Sequence, residues 1–180
     1  MGCHNNWTRY LNETRQPRIK QTHMKKFLSK IIQNLSFTGK PPDKETVKDI
    51  ISHAVATLLY EATRVDDDVS PDDLKIAANE LTNITHIDLK EAENLLISIA
   101  LPENRLTSYQ PTVKIINEHF SYKQKCDLIL AMWKIAHSDD DIDPHEDHII
   151  RKISDLLYIK HRDFIHQKLN ARSESTLRDG

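Results

Sequence analysis

Two runs of aspartate hold the residues best suited to chemistry. Asp66-Asp67-Asp68 leads into Val69-Ser70-Pro71-Asp72-Asp73, and Asp139-Asp140-Asp141 leads into Ile142-Asp143-Pro144-His145-Glu146. Residue 139 follows residue 66 by 73 positions, as Pro144 follows Pro71, so the chain repeats one design. Carboxylates at such spacing can hold a hard divalent cation, Ca²⁺ or Mg²⁺, through oxygen alone. Asp66, Asp68 and Asp73 make one candidate set, and Asp139, Asp141 and Glu146 make the other. Five of the ten histidines, His137, His145, His148, His161 and His166, lie after residue 136. Together with Asp139, Asp141 and Glu146 they would extend the choice to Zn²⁺. Against this stands a plainer reading, in which the histidines cap helices, pair with acids or face solvent.

Turn chemistry accounts for part of the pattern without any ion. Ser70 and Asp143 stand where an N-cap belongs, with Pro71 and Pro144 at the first helical position. Asp73 and Glu146 follow the caps by three, which predicts two capping boxes and places acids at the positive end of a helix dipole. The aspartates at 66–68 and 139–141 are different. They fall where the preceding helix ends, and negative charge is disfavoured there. One Asp per copy can serve a left-handed turn; three in succession, twice, exceed what a turn needs.

Several chemistries are excluded. An EF-hand needs Gly at loop position six and Glu at position twelve; counted from Asp66 these are Pro71 and Ala77, and from Asp139 they are Pro144 and Ile150. His145 and His148 are three apart, not the four of a metalloprotease helix. There is no phosphate-binding loop, no dinucleotide fingerprint and no Ser or Cys in a nucleophile motif. The chain reads as a non-enzyme.

The elements that position these turns read as helices. Glycine is absent between residues 40 and 179, while Leu, Ile, Ala, Lys and Glu recur at helical spacing. This predicts an all-α fold of about eight helices, with the two acidic turns inside two pseudo-repeated helix–turn–helix units. Asp43 is expected to cap a long helix that ends at the first turn. The second helix of that unit runs from Ser70 to about Asn83. Asp88-Glu91 and Ser121-Gln124 are further capping boxes, and Pro111 starts a short helix between them. The last two helices span Asp143 to Tyr158 and Lys160 to Ala171. Residues 1–23 are expected to be a flexible segment, 24–171 the helical domain and 172–180 a polar tail. Residues 24–35 form a basic amphipathic stretch, with Phe27, Leu28, Ile31, Ile32 and Leu35 on one face. That face suits packing on the chain's own domain, or a membrane surface. Met24 is a candidate alternative start.

Charge and composition narrow the partners. The net charge is −2, which argues against nucleic acid. Residues 1–30 nevertheless carry seven Lys or Arg and one Glu. No apolar run reaches the ~20 residues of a transmembrane helix, and no signal peptide is visible. Met1-Gly2-Cys3 starts like an acylation signal, but Asn6 stands where Ser or Thr is needed. Cys126 sits on an apolar helical face and is expected to be a buried, reduced thiol. A cytoplasmic location follows from this reading.

The stretch Met132-Trp133-Lys134-Ile135-Ala136-His137-Ser138-Asp139-Asp140-Asp141-Ile142-Asp143-Pro144-His145-Glu146 resembles the second half of the tellurite-resistance protein B (TerB) family, in its bacterial TerB-like branch. Ile115-Ile116-Asn117-Glu118-His119-Phe120-Ser121, Ile149-Ile150-Arg151-Lys152-Ile153 and His161-Arg162-Asp163-Phe164-Ile165 continue the likeness, which covers about residues 24–171. The resemblance implies an all-helical cytoplasmic domain of bacterial origin with acidic turns proposed as metal sites. It also implies a link to tellurite and chemical-stress resistance, with protein partners in a membrane-associated complex. The family's turn aspartate falls on Asp66 and Asp139, and its later acid on Asp73 and Glu146. Asp67 and Asp140 stand where the family has Gly. Tyr158 also replaces a family Gly, which argues against a left-handed end to that helix.

Two functions are therefore in contention: a divalent-metal-binding stress-response module, and a helical protein–protein interaction module whose acidic turns are only capped helix ends.

Overall fold

Helix starts follow local side-chain chemistry. The computed structural model of the chain describes residues 43–63, 69–101, 108–137 and 144–176. Among these there are seven α-helices and no strand: α1 (Lys44–Ala62), α2 (Pro71–Thr85), α3 (Leu89–Ile99), α4 (Gln110–His119), α5 (Tyr122–Ala136), α6 (Pro144–Leu156) and α7 (His161–Thr176). Asp43 Oδ1 accepts the Thr46 amide at 2.8 Å, and Asp88 Oδ1 accepts that of Glu91 at 2.8 Å. Ser121 and Gln124 form a complete capping box ahead of α5. At α2 the expected box is not the one found: Ser70 Oγ accepts the amide of Asp72, at 3.2 Å. The expected segments 1–23 and 24–35 lie outside the described residues, as does Asp143.

Two helices are buried nearly all round in their C-terminal parts, as core segments must be. Every residue of α1 from Ala54 to Ala62 is buried. In α5 the same holds for Leu128, Ile129, Ala131, Met132, Trp133, Ile135 and Ala136. These two helices precede the two acidic runs, so each repeat begins with a core helix. The α5 helix packs along α7 and also against α2 and α6, while α2 packs on α3 and α4 on α6. The described residues from Val47 onward form one compact unit.

The helix ends depart from expectation. Tyr158 does adopt the left-handed conformation, at φ 60°. Two backbone bonds overrule the side chain's preference: the Ile159 amide donates to Ser154 O at 3.1 Å, and the Tyr158 amide to Asp155 O at 3.1 Å. That is the Schellman pattern, and it satisfies carbonyls that the helix end would leave unpaired. His86 ends α2 in the same region, at φ 57°, with its amide on Thr82 O at 2.9 Å. The α7 helix continues past Ala171 to Thr176. A long-range ion pair holds this extra turn, since Glu174 lies 2.9 Å from Lys134 Nζ on α5.

Candidate functional site

Asp73 and Glu146 occupy the same place in the two repeats. Each is the third residue of the helix that follows an acidic run, after Pro71 or Pro144. Both are buried, with 9% and 8% of their surface exposed. A carboxylate that only caps a helix or faces its dipole needs no such burial, because water solvates it at no cost. Neither is without an interaction.

A third buried acid escaped the sequence reading. Glu61, in the last turn of α1, is 6% exposed and receives the Tyr109 hydroxyl at 3.1 Å from the start of α4. Its signal was present but faint: one charge in the otherwise apolar run Leu58-Leu59-Tyr60-Glu61-Ala62. The repeat-equivalent position in α5 holds a cation. Lys134 Nζ lies 3.4 Å from Glu80 of α2 and 2.9 Å from Glu174 of α7. Burial alone would lower its pKa; the two carboxylates more than offset this and hold the ammonium above its ordinary value.

The residues around the end of α5 are aromatic and basic. Trp133 is fully buried, 5.5 Å from Phe164 between ring centroids. Lys168 Nζ sits 4.4 Å over the Trp133 ring and pairs with Asp147, which also faces Arg151 at 3.6 Å. His137 packs on Trp133 at 5.9 Å. Burial pushes the His137 pKa down, helped by the nearby charges of Lys168 and Arg172. Its Nε2 and the Trp133 Nε1 are shielded from water with no hydrogen-bond partner among the described residues.

The five late histidines do not converge. His161 stacks on Phe164 at 6.2 Å, His166 Nδ1 lies 3.2 Å from the Asn170 amide nitrogen, and His145 and His148 are exposed on α6. Among the described residues no three His, Cys, Asp or Glu side chains form a group that could hold a metal. Of the candidate ligands, Asp73 and Glu146 are placed; Asp66, Asp68, Asp139 and Asp141 lie outside the described residues. Cys126 is a buried free thiol. Burial raises its pKa, as do Asp163 and Asp127.

The family model described as Tellurite resistance protein TerB matches residues 52–169. This chain belongs to the TerB family. The match begins within α1 and ends within α7, so it takes in both repeats and the buried acids Glu61, Asp73 and Glu146. The TerB assignment agrees with the all-helical fold. No curated protein and no solved structure matches the chain. No helix among the described residues is long and apolar enough to cross a membrane.

Proposed function

We propose that this TerB-family chain is a non-enzymatic module that binds a divalent cation at its two acidic turns and serves a response to tellurite or related chemical stress. The observation behind this reading is the paired burial of Asp73 and Glu146, each five residues after an aspartate run in the sequence. Clustered carboxylates repel one another, and a cation at each turn would offset that repulsion. Asp66, Asp68 and Asp73, and likewise Asp139, Asp141 and Glu146, offer the all-oxygen donor set that Ca²⁺ and Mg²⁺ prefer; nitrogen from His137 or His145 would favour Zn²⁺. The extra charge of Asp67 and Asp140 raises the demand for a counter-ion. Within this reading the partners are proteins of a membrane-associated assembly, met from the cytoplasmic side.

Thermal unfolding after chelation, with Ca²⁺, Mg²⁺, Mn²⁺ and Zn²⁺ restored one at a time, tests the proposal. An ion at a hundredfold excess over its Kd adds about 2.7 kcal/mol to folding stability. Asp73→Asn and Glu146→Gln should each shrink the ion-dependent part while leaving a folded protein. No shift with any of the four ions would leave the turns as capped helix ends and the chain as a helical interaction module.

A further inference from the structure

We draw no further inference here: the strongest candidate, the groove of about 390 Å³ between α2 and α5 lined by Glu80, Ile84, Asp127, Leu130 and Lys134, carries nothing because no observation in the structure shows what covers it.

Discussion

Five residues before each aspartate run the two repeats carry opposite charges, Glu61 in α1 and Lys134 in α5. Both are largely withdrawn from water, and both interact with side chains from outside their own pair of helices. Glu61 takes the Tyr109 hydroxyl from α4, while Lys134 lies between Glu80 of α2 and Glu174 of α7. After the run the repeats agree: a proline, an acid at the third position, and a left-handed helix exit at His86 or Tyr158. The pair teaches which parts of the design are local. Features set within the helix–turn–helix unit recur. A charge compensated by distant elements can reverse sign, because each repeat meets different neighbours.

The core helices give the largest test of equivalence. Trp133→Ala removes a fully buried side chain packed against Phe164 and Lys168, and should cost about 3–5 kcal/mol in urea unfolding. Tyr60, its counterpart in α1, is also buried, so Tyr60→Ala should cost an amount of the same order. A loss below about 1 kcal/mol at either position would break the parallel between α1 and α5.

The charge reversal predicts a smaller, unequal pair of effects. Lys134→Met leaves Glu80 without its partner in a mostly buried setting, and should cost about 1–3 kcal/mol. Glu61→Gln keeps an oxygen for the Tyr109 hydroxyl and should cost less than Lys134→Met. Adding Glu80→Gln to Lys134→Met should recover part of the loss, since it removes the stranded charge. Equal costs at the two positions, or no recovery in the double variant, would count against this account. Amide exchange on Lys134→Met should also show the last turn of α7 opening first, because Ala171 is its final buried anchor.

That last turn of α7 was not legible in the sequence. The starts of α1, α3 and α5 were legible because Asp43, Asp88 and Ser121 act on amides a few residues away. The continuation of α7 was not, because Glu174 finds Lys134 only after α5 and α7 have packed. Asp73 and Glu146 could be placed as first-turn acids from spacing alone, yet their burial depends on tertiary neighbours. Glu61 near a helix end reads as a surface residue until Tyr109, 48 positions later in the chain, reaches it. At Tyr158 the side chain's reluctance is outweighed by two backbone bonds that the sequence does not display.

The two left-handed exits measure that balance directly. A non-glycine residue in this region costs roughly 1–2 kcal/mol, so Tyr158→Gly should stabilise the protein by about 1 kcal/mol. Tyr158 is 78% exposed, so little packing is lost. His86→Gly should gain less, because histidine enters this region more readily than most residues. Equilibrium urea curves for both variants would show it. A larger gain at His86 would mean that histidine carries the greater backbone strain, and a loss at Tyr158 would mean that its side-chain contacts outweigh the strain there.

The smallest effect concerns one histidine in each repeat. Burial lowers the pKa of His53 in α1 below its ordinary 6.5, and His137 after α5 is lowered by burial and by Lys168 and Arg172. The sign follows from linkage. The unfolded chain takes up a proton near pH 6.5 while the folded chain still resists it. Stability is therefore complete above that pH, falls as pH drops through 6.5, and levels off below the folded-state pKa. Urea midpoints between pH 5 and 8 should show this fall, and His53→Gln and His137→Gln should each flatten it. Salt separates the two. The His137 shift rests partly on neighbouring cations, which salt screens, whereas burial of His53 is indifferent to ionic strength. High salt should thus weaken the pH dependence that His137→Gln removes and leave intact the part that His53→Gln removes. If salt acts alike on both, the cations around His137 do not set its titration, and the two histidines differ only in depth.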